Sequence, residues 1–119
     1  MVSSKELSDL LSDNTIHERT IGCIAQRLSY KGNCSVINPN VDYKVKKCVG
    51  QIDLIAYNDR LNKWVFYEVK SSYNRHTYNH ACAQFSRFKN SHPGLPVVGL
   101  YVTPDKDLGT LYLHARRLE

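Results

Sequence analysis

The chain has 119 residues, a length that fits one domain around a single hydrophobic core. Its 16 Lys and Arg against 11 Asp and Glu give a formal net charge of +5, which favours an anionic partner such as nucleic acid or an acidic membrane surface. No stretch approaches the roughly 18 consecutive apolar residues of a membrane span. The opening MVSSKELSDLLSDN mixes acids into a short apolar pattern, unlike a secretory signal. We therefore expect a single-domain, intracellular protein that does not enter the membrane.

Two helices are predicted in the first part of the chain. Ser3 followed by Glu6 has the capping-box pattern and could open a short helix carrying Leu7, Leu10 and Leu11. Thr15 followed by Glu18 repeats the pattern and predicts a second helix that ends at residues 31–33, KGN. Its apolar positions at helical spacing are Ile16, Thr20, Cys23, Ile24 and Leu28.

Strand patterns dominate the rest of the chain. Residues 34–48 predict a strand, a turn marked by Pro39 and a second extended piece. The later elements are strands over about 49–57 and 64–71, a helix over 77–90 with Ala81, Gln84, Phe85 and Phe88 at helical spacing, an apolar strand over 95–102 and a last strand over 110–115. Because helices and strands are interspersed, we expect an α/β fold with a mixed central sheet flanked by helices.

The segment GQIDLIAYNDRLNKWVFYEVKSS, residues 50–72, predicts a hairpin with its turn at 58–63. The expected facing pairs are Tyr57 with Trp64, Ile55 with Phe66, Asp53 with Glu68 and Gln51 with Lys70. Strict alternation would put all these side chains on one face of the pleat.

Two carboxylates would then face each other within an apolar context. Like charges directly opposite destabilise a strand pair, and Mg²⁺, which takes one or two protein carboxylates, would compensate Asp53 and Glu68. Lys70 would hold a water or a phosphate on the same face. The alternative is a solvated, salt-bridged Glu-x-Lys edge, but the apolar neighbours in VFYEVK and QIDLIA argue against it. A slip of one residue in register would separate the carboxylates.

These residues resemble the signature of the PD-(D/E)XK nucleases, with GQID at 50–53 and EVK at 68–70. Ile52 stands where the signature has Pro. Glu18, on an early helix, is similar to the added acidic position of the archaeal Holliday junction resolvases. Gln84 falls where many of these nucleases carry a Gln. The resemblance covers roughly residues 14–115.

The resemblance implies a restriction-endonuclease-like core, with residues 1–119 as one nuclease domain. It implies that Mg²⁺, or Mn²⁺ in its place, is bound by the carboxylates of Asp53, Glu68 and Glu18 and the backbone carbonyl of Val69. Lys70 would orient the attacking water. Gln84 would be a further catalytic residue, although a solvated helix position is as plausible for it. Glu18 could equally be only the third residue of a capping box.

The partners implied are DNA, in the form of a four-way junction, and a second copy of the chain. A homodimer would cut two strands symmetrically and leave 5′-phosphate and 3′-hydroxyl ends. The residues expected to contact DNA are Arg19, Lys44, Lys46, Lys47, Ser71, Ser72 and Arg75. The three lysines would equally suit a strand edge protected by charge.

Three alternatives remain open from the sequence. A restriction-like, flap-type or RecB-like nuclease would use the same centre on other DNA. A DNA-binding module would carry the acidic pair only as a polar network, and a basic protein-interaction module would bind no DNA at moderate salt.

Overall fold

The structure, a computed structural model, describes residues 13–45 and 48–119. These residues form the elements α1 (Asp13–Lys31), β1 (Cys34–Val45), β2 (Cys48–Asn58), β3 (Lys63–Val69), α2 (Arg75–Ser91), β4 (Val97–Asp105) and β5 (Gly109–Leu118). The five strands make one sheet in the order β1-β2-β3-β4-β5. The pair β3 and β4 is parallel and the other neighbours are antiparallel, so the predicted α/β class with a mixed sheet is confirmed.

Some predictions fall outside the described residues. The short helix expected around Leu7 lies there, as do Lys46 and Lys47. Within the described part, neither helix is long and apolar enough to cross a membrane.

The sheet has a helix on each face, as predicted. The core on the α2 side contains Ile52, Ile55, Phe66, Ala81, Phe85, Phe88, Val97, Tyr101 and Leu118. The core on the α1 side contains Ile21, Ile24, Leu54, Ala56, Val65, Tyr67, Val69 and Val102. The parallel pairing of β3 with β4 requires a crossover, and α2 provides it. β4 contributes to both cores, as the apolar run over 95–102 predicted.

The helix α1 ends where the sequence predicted. Gly32 follows it with a φ of 71°, and its N–H donates to the carbonyls of Leu28 and Ser29. Its buried face agrees in part with the predicted one: Thr20 and Ile24 are buried as predicted, Ile21 is buried as well, and Ile16 is 38% exposed. Thr15 lies inside the helix, so the expected start at a Thr15 capping box is wrong.

The hairpin of β2 and β3 has the predicted register. The paired positions are Leu54 with Tyr67, Ile55 with Phe66, Ala56 with Val65, Tyr57 with Trp64 and Asn58 with Lys63. Asn58 closes the turn, since its side-chain oxygen accepts from the N–H groups of Arg60 and Leu61. The ladder between the two strands stops at Leu54 and Tyr67, one position before Asp53 and Glu68.

β1 corrects the prediction for residues 34–48. It is one continuous strand over Cys34–Val45, without the turn expected at Pro39. β1 lies at the edge of the sheet, where a residue without an N–H is tolerated on the solvent side. The chain bends at the next residue instead, because Asn40 has a positive φ of 54°.

Asn40 stands opposite Asp53, between the pairs Pro39–Leu54 and Val41–Ile52. At this point the side chains of both strands stop alternating regularly between the two faces of the sheet. Ile52 and Ile55 pack in the same core although they are three positions apart. The prediction that side chains alternate strictly between the two faces along β2 is therefore wrong at Asp53.

Candidate metal centre

Asp53 is buried, with 6% of its surface exposed, at the point where the β2–β3 ladder stops. Its Oδ2 accepts a hydrogen bond of 2.8 Å from the backbone N–H of Val69. The β2–β3 ladder has ended here, so the Val69 N–H has no backbone acceptor on β2 and donates to the Asp53 carboxylate instead. This charge-assisted bond fixes the orientation of the carboxylate. Oδ1 is left to meet other groups.

Glu68 is equally buried, at 6% exposure, and only one of its oxygens has a donor group as partner among the described residues. Oε1 lies 3.4 Å from Lys70 Nζ, whereas the buried Oε2 accepts no hydrogen bond from them. Burial, and then the charge of Asp53, raise the pKa of Glu68 from 4.5 to about 7, and a hydrogen bond from the protonated Glu68 to Asp53 acts in the same direction, whereas Lys70 acts in the opposite one. Leaving a buried acceptor unpaired costs about 1–3 kcal/mol. Oε2 is therefore an oxygen that a cation could bind at little further desolvation cost.

His17 lies beside this pair, and the sequence analysis missed it. Its Nε2 is 3.2 Å from Asp53 Oδ1, and its Nδ1 is 3.7 Å from Glu18 Oε1. The signal was present in the chain, since His17 precedes the buried Ile21 and Ile24 by four and seven residues and so shares their helix face. The imidazole stands between a buried and an exposed carboxylate.

Two predicted catalytic residues lie outside the Asp53–Glu68 pair. The Glu18 side chain is 62% exposed and contacts the His17 ring. Gln84 donates from Nε2 to the Gln51 carbonyl at 3.2 Å, which ties α2 to β2 two residues before Asp53. Glu18 therefore contacts His17, and Gln84 contacts Gln51, rather than Asp53 or Glu68.

Several of the predicted DNA contacts line two adjoining clefts beside Lys70. A cleft of about 460 Å³ includes Arg19, Ser71 and Lys106, and one of about 600 Å³ includes Ser71, Ser72 and Lys106. Asp105 lines both clefts and Asp107 lines the larger one. Arg75 is exposed at the first residue of α2. Lys44 belongs to β1, and Lys46 and Lys47 lie outside the described residues.

The donor set fits a hard divalent cation. Among the described residues, no three His, Cys, Asp or Glu side chains form a ready-made metal cluster. Mg²⁺, however, needs only one or two carboxylates from the protein and keeps other positions for water and substrate phosphate. The unpartnered Glu68 Oε2 beside Asp53 supplies such a pair.

Comparisons with known proteins found no match. No protein-family model, no curated protein and no solved structure is similar enough to this chain to be matched. The residues of the site itself are therefore the basis for assigning a function.

Proposed function

We propose that this chain is a divalent-cation-dependent DNA endonuclease of the PD-(D/E)XK type that resolves four-way junctions. The observation that supports this most is Glu68 Oε2, a buried carboxylate oxygen without a partner among the described residues, next to a second buried carboxylate. Two carboxylates buried side by side repel each other, and a cation removes that repulsion. In this proposal the α/β core is of the restriction-endonuclease-like type.

Asp53 and Glu68 would hold the cation, together with the carbonyl of Val69. The ion, Mg²⁺ or Mn²⁺, supplies a water of lowered pKa and charge neutralisation at the phosphate. The reaction adds water to phosphorus and breaks the bond to the 3′-oxygen. One water proton goes to that oxygen, which leaves a 3′-hydroxyl and a 5′-phosphate.

Lys70 is suited to orient the attacking water. Its Nζ is 3.4 Å from Glu68 Oε1, and its side chain is 41% exposed, so the ammonium contacts the acidic pair and still reaches the solvent side. The Lys70 N–H donates to the Val102 carbonyl at 3.0 Å. This bond fixes the Lys70 backbone against β4, so the motion left to Lys70 is in its side chain.

The clefts beside Lys70 would receive the DNA backbone. Arg19 and Lys106 carry positive charge there, beside the carboxylates of Asp105 and Asp107, and the hydroxyls of Ser71 and Ser72 are donors suited to phosphate oxygens. A four-way junction has two equivalent strands, and a homodimer with two-fold symmetry would present one site to each. The substrate and the dimer are parts of the proposal that rest on the family resemblance.

The test is cleavage of an end-labelled four-way junction in Mg²⁺, compared with a linear duplex of the same sequence. We expect paired symmetric nicks in the junction and none after Asp53→Asn. Asn can still accept from the Val69 N–H, so the variant removes charge while keeping the hydrogen bond that holds β2 to β3. Junction binding should be retained or tighter, because a negative charge near phosphate is removed.

Asp59→Asn is the matched control, since Asp59 is exposed in the turn at the other end of the hairpin. It should cut like the wild type. Equal cutting of junction and duplex would retain the nuclease and reject the junction, whereas cutting by Asp53→Asn would reject the metal centre.

A second candidate, a DNA-binding module without catalysis, is favoured by one observation. Asp53 and Glu68 already contact His17 and Lys70, so the four side chains could be a self-contained polar network. Tight junction binding without any metal-dependent cleavage would support that candidate.

A further inference from the structure

We propose that His17 is a third side-chain ligand of the metal site, through Nε2, and that Glu18 supports it as a hydrogen-bond partner without binding the metal itself. This inference rests on the proposed function, because it needs the cation at Asp53 and Glu68. It changes the role expected for Glu18 and brings in a residue that the family resemblance did not indicate.

The first argument is the position of Nε2. It lies 3.2 Å from Asp53 Oδ1, the oxygen that the Val69 N–H leaves free. Neighbouring donor atoms of an octahedral ion with bonds near 2.1 Å are separated by about 3 Å. The Nε2 and Oδ1 atoms therefore have a spacing that fits both a hydrogen bond and two adjacent ligands, although His17, Asp53 and Glu68 do not form a metal cluster as they stand.

The second argument is the other ring nitrogen. A metal-bound His nearly always donates from its second nitrogen to a carboxylate, a carbonyl or water. Glu18 Oε1 lies 3.7 Å from Nδ1 of His17, an ion-pair distance that a small rotation of the exposed Glu18 side chain would shorten to a hydrogen bond. Glu18 is 62% exposed, as expected of a carboxylate that only supports the ring from outside the site. Asp53 is buried, as expected of a carboxylate that binds the metal itself.

The third argument is how the ring is held. α1 is anchored to the sheet by Ile21 and Ile24, which are buried in the core on that side and lie on the same helix face as His17. His17 needs only side-chain rotation to follow the cation, because its backbone belongs to this packed helix. Binding would release the Nε2 proton, if it is present, to solvent.

A nitrogen ligand changes which metal is preferred. Mg²⁺ favours oxygen donors, whereas imidazole raises affinity for ions later in the first transition row. We therefore expect the protein to bind Mn²⁺ more tightly than Mg²⁺, and His17 to be the cause of most of the difference.

The experiment is titration calorimetry of the full chain with Mn²⁺ and with Mg²⁺, without DNA. His17→Gln should weaken Mn²⁺ binding by at least about tenfold and Mg²⁺ binding by much less. Gln retains an N–H that can reach Asp53, so a purely structural role of His17 would be rescued by this substitution. Pulsed EPR of bound Mn²⁺ should show coupling to an imidazole nitrogen in the wild type and lose it in His17→Gln.

Glu18→Gln tests the outer partner. If Glu18 acts through His17, its substitution should weaken Mn²⁺ by about tenfold in the wild type and add little in the His17→Gln background. If Glu18 is itself a ligand, it should weaken Mg²⁺ and Mn²⁺ alike in both backgrounds, and its part of the inference fails. His80→Gln, at an exposed position of α2, is the control that should keep the nitrogen coupling.

The remaining outcomes separate this inference from the proposed function. If Asp53→Asn abolishes binding of both ions while His17→Gln leaves Mn²⁺ binding unchanged or tighter, the metal site stands and His17 only neutralises Asp53 in the free protein. If the wild type binds neither ion, the metal-dependent function itself fails.

Discussion

The Glu68 carboxyl connects the stability of the fold to pH. Its pKa in the folded chain is raised from 4.5 to about 7 by burial and by Asp53, so the folded state binds this proton more tightly than the unfolded state. The contribution is therefore present at low pH and is lost as pH rises from about 4.5 to 7. In metal-free buffer, Glu68→Gln should change the free energy of unfolding little at pH 4 and raise it by about 3 kcal/mol at pH 8. Urea unfolding at both values measures the difference.

Asp105 offers a control of opposite sign. A hydrogen bond from His114, then those from the Asp107 and Leu108 N–H groups, hold the pKa of Asp105 below 3.8. Its stabilisation is present at neutral pH and is lost as pH falls, so Asp105→Asn should destabilise at neutral pH only. If Glu68→Gln changed the free energy of unfolding equally at both pH values, the pKa of Glu68 would be the same in the folded and unfolded chain and the proposed burial effect would be rejected.

At this scale the sequence predicted the acidic pair but not its neighbour. Asp53, Glu68 and Lys70 were identified because charged side chains are rarely buried in apolar strands unless they are paired or bind a ligand. His17 was missed because the predicted buried face included Thr20 and Ile24 but not Ile21, which lies one turn after His17 and is also buried.

In the β2–β3 hairpin, the strands and their pairing were predictable from the sequence, but the irregularity at Asp53 was not. The polar turn after Asn58 fixed the register, and the structure has the predicted pairs up to Leu54 and Tyr67. The bend at Asn40 could not be read from alternation, because alternation assumes an undistorted strand. A positive φ is tolerated by Asn but is not required by it, so the residue alone did not indicate the bend.

Packing between β4, β5 and α2 depends on Gly99. A Cβ built there would lie 2.9 Å from Leu118 Cβ and 3.0 Å from the Phe85 ring, in the core on the α2 side. Gly99→Ala should therefore lower the free energy of unfolding by about 1–3 kcal/mol, measured by urea denaturation.

Gly22 is the matched control, because a Cβ there would meet nothing within 4 Å and the residue lies within α1. Gly22→Ala should raise the free energy of unfolding by up to about 1 kcal/mol, the helix preference of Ala over Gly. If both substitutions changed stability in the same direction, the close packing at Gly99 would not be the reason for its effect.

At the scale of the whole molecule, the formal charge of +5 acts through where the charges lie. Arg19 lines the cleft beside Lys70, whereas Arg60 is exposed in the turn at the far end of the β2–β3 hairpin. If the proposed dimer neutralises about six phosphates, junction affinity should fall roughly a thousandfold between 50 and 200 mM salt. Fluorescence anisotropy with a labelled junction gives the slope of log affinity against log salt.

Substituting Arg19 and Arg60 in turn tests which part of the surface determines that slope. Arg19→Ala should reduce its magnitude by about one for each phosphate that is no longer neutralised, and so by about two in a symmetric dimer. Arg60→Ala removes the same charge from the chain and should leave the slope unchanged, because counterions are released only where the protein meets phosphate. Equal reductions by both variants would mean that net charge alone attracts the DNA and that the cleft beside Lys70 is not its binding surface. A reduction by Arg19→Ala alone would locate the phosphate backbone next to the acidic pair, as hydrolysis at Asp53 and Glu68 requires.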